Sequence, residues 1–153
     1  MSIRVDLVSG RADELWPRPG RIFAAARSHT FNQRGTAIDD AFARWDRSHL
    51  HQFYLADGPR IGDPKWADDV DDEVLDAARL TLGRLKAGDQ FVYEFDLGDS
   101  WLHRCAIAPR RIDPTEQLGI VPTRPLPCWG WGTIPDQYGR TWDGDKNPKP
   151  KRA

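Results

Sequence analysis

Apolar residues alternate most clearly between residues 91 and 107. Phe91, Tyr93 and Phe95 fall at every second position, Leu97-Gly98-Asp99-Ser100 reads as a turn, and Trp101 to Ile107 runs back. A period of two places side chains on one face of a strand, so the stretch predicts a β-hairpin. Tyr93, Phe95 and Trp101 are expected to be buried, with Gly98 in a backbone conformation poorly open to other residues. A second strand pattern runs through "HLHQFYLADG", where Leu50, Phe53 and Leu55 alternate with polar positions before an Asp-Gly turn. Between residues 36 and 46 the spacing changes to three and four. Ala37, Ile38, Ala41, Phe42 and Trp45 then form one stripe on a helix that Thr30 or Thr36 could cap. Val74, Leu75, Ala78 and Leu82 suggest a second helix, although Thr81 and Gly83 weaken its middle.

The remaining segments are punctuated by proline and glycine. "LWPRPGR" predicts an extended lead-in to a strand over "RIFAAA". Beyond Pro109 the many prolines and glycines leave room for short strands and turns only. The pattern predicts a single folded domain over residues 1–143 and a disordered basic tail over 144–153.

Charge narrows the partners. The chain has 22 Lys plus Arg against 23 Asp plus Glu, so no global field draws it onto nucleic acid or an anionic membrane. Tight general binding to nucleic acid is therefore not expected, and any basic patch must be local. An acidic run spans Asp57 to Asp76, and basic residues cluster from Lys146 to Arg152. No window approaches the length of a membrane span, and Arg4 and Asp6 interrupt what would be the apolar region of a leader. A cytoplasmic setting with Cys105 and Cys128 as free thiols is the expectation.

Candidate chemistry centres on the histidines. His49 and His51, at i and i+2, leave the same face of a strand, while Asp99 and His103 lie close together on the hairpin. Three imidazoles and a carboxylate are a donor set for zinc or another borderline metal, with Cys128 as a further ligand. The competing reading makes Asp99 a turn former and the histidines members of the scaffold. Seven tryptophans are the other unusual feature, and Trp129 and Trp131 flank Gly130 so that an extended chain presents both indoles to one side. They are read as core, because no basic residues interleave with them along the sequence. A nucleotide-stacking groove is the alternative. No P-loop and no nucleophile elbow is present.

Three segments, "AIDDAFARWDRSHLHQF", "FVYEFDLGDSWLHRCAI" and "PLPCWGWGTIPDQYG", resemble in order and spacing the plasmid pRiA4b ORF-three-like family, also described as an insertion-element passenger protein family. The matching residues include Trp45, His49, His51, Phe53, Tyr93, Asp96, Gly98, Asp99, Trp101, His103, Cys128, Gly130 and Pro135. The chain departs from the family pattern at Leu97, Ile134, Asp136 and Gln137, and Arg34-Gly35 interrupt its first helix. The resemblance implies an α+β fold, a mixed, largely antiparallel sheet with helices packed against it, and a plasmid or mobile-element setting. It implies no reaction. The expected function is a binding or accessory module with no cofactor and with a protein as one class of partner. The alternatives are a metal-dependent enzyme built on His49, His51, Asp99 and His103, or a nucleic-acid-binding accessory.

Overall fold

The computed structural model describes residues 1–67 and 73–140. The expected basic tail, and Asp68 to Asp72 of the acidic run, lie outside the described residues. Among the described residues nine strands form one sheet: β1 (Ser2–Gly10), β2 (Asp13–Glu14), β3 (Gly20–Ala24), β4 (His51–Leu55), β5 (Arg60–Gly62), β6 (Val74–Asp76), β7 (Gln90–Phe95), β8 (Trp101–Ile107) and β9 (Leu126–Trp131). Eight of them follow the order β6-β5-β4-β7-β8-β1-β3-β9, and β2 pairs with β1. Among the described residues only β5 and β6 pair in parallel. The sheet is mixed as expected, but the fold is sheet-dominated, with just two α-helices among the described residues, α1 (Phe31–Ala41) and the short α2 (Pro114–Leu118).

Alternation sorts the side chains onto two faces. Ile3, Val5 and Leu7 of β1, Phe53 of β4, Phe91, Tyr93 and Phe95 of β7, and Trp101 and Cys105 of β8 all face inward and are buried. α1 packs on this inner face through Phe31, Ile38 and Gly35, whose lack of a side chain lets the helix approach the Tyr93 ring. Phe31, Phe53 and Phe91 meet edge-on or tilted, with centroids 5.1–6.1 Å apart. Register partners at alternate positions turn outward. Arg4 pairs with Ala106 and Ile22, Asp6 with Arg104 and Gly20, and Val92 with Tyr54.

Several expectations require correction. α1 begins earlier than its apolar stripe suggested, because Thr30 and Gln33 form a reciprocal capping box. It ends at Ala41, so Phe42 and Trp45 lie beyond the helix, and Arg34-Gly35 sit within it rather than breaking it. The segment from Val74 forms β6, a turn and a 3₁₀ turn (Leu82–Arg84) in place of a helix: pairing of Val74 to Asp76 with β5 outweighs a weak helical period. Beyond Pro109 a helical turn does form, because Asp113 caps α2 and Pro114 suits its first position. Tyr93, Phe95 and Trp101 are buried as expected. Gly98 does not take the special conformation, which falls instead on Asp96 (φ 62°) and Ser100 (φ 50°). The Asp96 carboxylate accepts the Gly98 and Asp99 backbone N–H groups and so holds the turn from within.

Candidate functional site

The structure divides the expected histidine set. His49 and His51 line one cleft of about 290 Å³ with Arg60, Asp63, Trp66 and Leu97. Burial lowers the His51 pKa, with Asp63 acting in the opposite sense. His103 lies elsewhere, completely buried between the rings of Tyr93 and Phe42 at centroid distances of 5.4 and 5.0 Å. Burial, reinforced by the Arg44 charge, pushes its imidazole down to about 3, and Nδ1 lies 3.2 Å from the Tyr93 carbonyl. Tyr93 separates His103 from His51, whose ring lies on the β4 side at 6.0 Å. Asp99 takes part in the turn through its backbone, and its carbonyl accepts the Arg11 N–H at 2.7 Å.

His49 has a different set of partners from the one expected. Its Nδ1 lies 3.4 Å from Asp96 and its Nε2 lies 2.7 Å from the Tyr138 hydroxyl, which donates to Asp46 at 2.6 Å. Asp46 and Asp96 thus approach different edges of the ring and do not share one coordination point with it. Hydrogen bonds from Ser48 and Tyr138 hold the Asp46 carboxyl well below its ordinary value, and the same contact pushes Tyr138 up to about 12. Around this contact the segment 135–140 is fastened to the loop after α1. Gln137 exchanges two hydrogen bonds with the Asp46 backbone, Arg44 reaches the Pro135 carbonyl, and Arg140 stacks on Trp45 at 4.3 Å. Neither Asp46 nor Tyr138 was identified from sequence, because the contact spans about ninety residues. Among the described residues, no three His, Cys, Asp or Glu side chains form a group able to hold a metal ion. Cys128 is on β9, with its thiol donating to the Ile22 carbonyl at 3.4 Å.

A second candidate occupies the outer face of the sheet. An apolar groove of about 520 Å³ is floored by Val8, Tyr54, Val92 and Leu102 and bordered by Arg18 and Arg104. The same two arginines line an adjoining groove of about 540 Å³, together with Arg4, Asp6, Trp16 and Trp131. Arg4 grips Asp6 through two hydrogen bonds and lies over the Trp131 ring at 4.8 Å. Trp131 donates its indole N–H to the Arg18 carbonyl, while Nε of Arg18 is buried without a hydrogen-bond partner among the described residues. Trp16 is 80% exposed and Trp129 68% exposed.

The core reading of the paired tryptophans therefore fails for Trp129. Trp129 and Trp131 do leave the same side of β9, opposite Ile22 and Gly20, and that side is the outer face. Basic residues do interleave with the rings, but in space, supplied by β1, the lead-in before β3, and β8. At the β4 end of the same face, Glu94 is held by Tyr54, Gln52 and Ser100, and at the other end stand Arg4, Arg18 and Arg104.

A family model described as plasmid pRiA4b ORF-3-like protein matches residues 3–123. The fold is similar to that of a crystal structure of a protein of unknown function, MM3350, from Methanosarcina mazei Go1. The TM-score is 0.63 at 18% identity, over 84% of this chain and 67% of that one, a likeness of fold alone. No curated protein matches the chain. No helix among the described residues is long and apolar enough to cross a membrane.

Proposed function

The chain belongs to the plasmid pRiA4b ORF-3-like family, and we propose that it is a binding module that seats an anionic, ring-bearing ligand on the outer face of its sheet. The observation that carries this reading is the shared position of Arg18 and Arg104, which line both grooves above an apolar floor. A flat ring buries apolar surface against Val92 and Leu102, and a guanidinium pairs with an attached phosphate or carboxylate through its planar fork. Arg18 lines both grooves, and its Nε is buried without a hydrogen-bond partner among the described residues. Two free thiols support a reducing, cytoplasmic setting for the module.

Titration of the full-length protein with TMP and AMP, followed by tryptophan fluorescence and calorimetry, tests the reading. Saturable binding is expected, and Arg104→Gln is expected to weaken it by about tenfold with an unchanged melting temperature. Absence of binding for both nucleotides, or equal affinity in the variant, overturns the proposal.

A further inference from the structure

Resting on that reading of the outer face, we infer that the natural occupant is a single-stranded nucleic acid lying across the strands. The first argument is extent. The grooves reach from Tyr54 on β4 to Trp131 on β9. With strands about 4.8 Å apart, the five steps between these two strands span roughly 24 Å. That length suits several successive nucleotides and is more than one requires.

The second argument is the alternation of chemistry along this path. Tyr54 stands at one end and Trp16 and Trp131 at the other, with Arg18 and Arg104 between them. Trp129 adds an exposed ring at the β9 edge. Unpaired bases stack on aromatic rings whatever their identity, and arginines between the rings meet the phosphates. Three arginines against Asp6 alone give the two grooves a local excess of positive charge on a chain whose net charge is -1. Recognition is then short-ranged, and a duplex, whose bases are already stacked on each other, gains little from these rings.

Binding of labelled dT10 to the full-length protein tests the inference, alongside TMP, a ten-base-pair duplex and a deca-glutamate peptide. We expect dT10 to bind at least about tenfold more tightly than TMP, because several bases stack at once. The slope of log K against log salt should lie near −2, as about three phosphates are neutralised. Trp16→Ala and Arg104→Gln should each weaken dT10 by about fivefold or more while the melting temperature holds. Replacing Lys146, Lys149, Lys151 and Arg152 by Gln should leave affinity within about twofold.

The outcomes separate the two proposals. If TMP binds but dT10 binds no more tightly, the ligand seat stands and the nucleic-acid inference is overturned. If neither binds, both fall. A duplex that binds as tightly as dT10, or deca-glutamate that displaces it at equal concentration, also overturns the inference, the latter by assigning the face to an acidic protein segment. Loss of binding on substituting the four terminal cations, with Arg104→Gln unaffected, overturns it as well.

Discussion

The two faces of this sheet hold the same kind of cation under opposite conditions. On the inner face Arg34 and Arg44 are fully buried, with Arg34 over Phe23 at 4.1 Å and Arg44 over Trp101 at 4.0 Å. Burial pushes both guanidiniums down to about 10, still charged near neutral pH, and the Asp39 and Asp136 carboxyls partly offset the effect at Arg44. These charges are enclosed by rings and have no access to an outside partner. On the outer face Arg4, Arg18 and Arg104 line a groove with Trp131 and the solvent-exposed Trp16. The difference shows that a ring beside an arginine does not define its role. Burial makes the pair part of the scaffold, and access leaves it open to a partner.

The contrast breaks if substitutions on the two faces have equal effects. Phe53→Ala, which opens a cavity among Phe31, Phe91 and Tyr93, should lower stability by about 3–5 kcal/mol in chemical denaturation. Gly10→Ala comes next. The new methyl would fall inside the Trp101 ring, and the forced repacking should cost about 1–3 kcal/mol, read as a lower melting temperature.

pH sharpens the inner side of the comparison. Burial pushes the Asp39 carboxyl up to about 7 from 3.8, even though the Tyr93 hydroxyl donates to both of its oxygens. Between pH 3.8 and about 7 the folded protein keeps a proton that the unfolded chain has lost, so this group makes stability fall as pH rises through that window. His103, pushed from 6.5 to about 3, acts in reverse: below 6.5 the unfolded chain takes up a proton that the folded state refuses, and stability falls as pH drops. Unfolding of Asp39→Asn and His103→Gln relative to the parent should therefore change with pH in opposite directions. The Asp39 variant gains relative stability as pH rises and the His103 variant as it falls, with slopes of at most about 1.4 kcal/mol per pH unit. Parallel slopes would remove the claim that both groups are enclosed. The smallest effect belongs to the outer face, where Arg104→Gln, which loses one exposed contact to Gln90, should leave stability within about 0.5 kcal/mol while changing ligand affinity.

The central hairpin was legible because its period of two and its turn residues agree, and both act over a few positions. The Val74 to Leu82 stretch misled because four apolar residues fit a helix weakly, and only the parallel partner in β5 decides for a strand. His49 has other neighbours than the expected His51, Asp99 and His103 set. Its carboxylates come from Asp46 and from Asp96, and the Tyr138 contact depends on a chain reversal that local spacing does not encode. The outer groove was invisible for the same reason. Its arginines lie at 4, 18 and 104, and only the register of β1 against β3 and β8 brings their segments together. Faces follow from alternation, whereas neighbours follow from topology.

The interior position of β1, between β8 and β3, also sets a schedule for synthesis. Residues 2–10 leave the ribosome shortly before β3 and can pair with it, yet their other neighbour, β8, is complete only at residue 107. At about 5–20 residues per second, the β8-facing edge of β1 and the apolar side chains of Ile3, Val5 and Leu7 wait roughly 5–20 s for the strand and core that cover them. During that interval the nascent chain presents an unpaired strand edge beside an unfinished apolar surface, which is the form of this protein most exposed to aggregation and to chaperone capture.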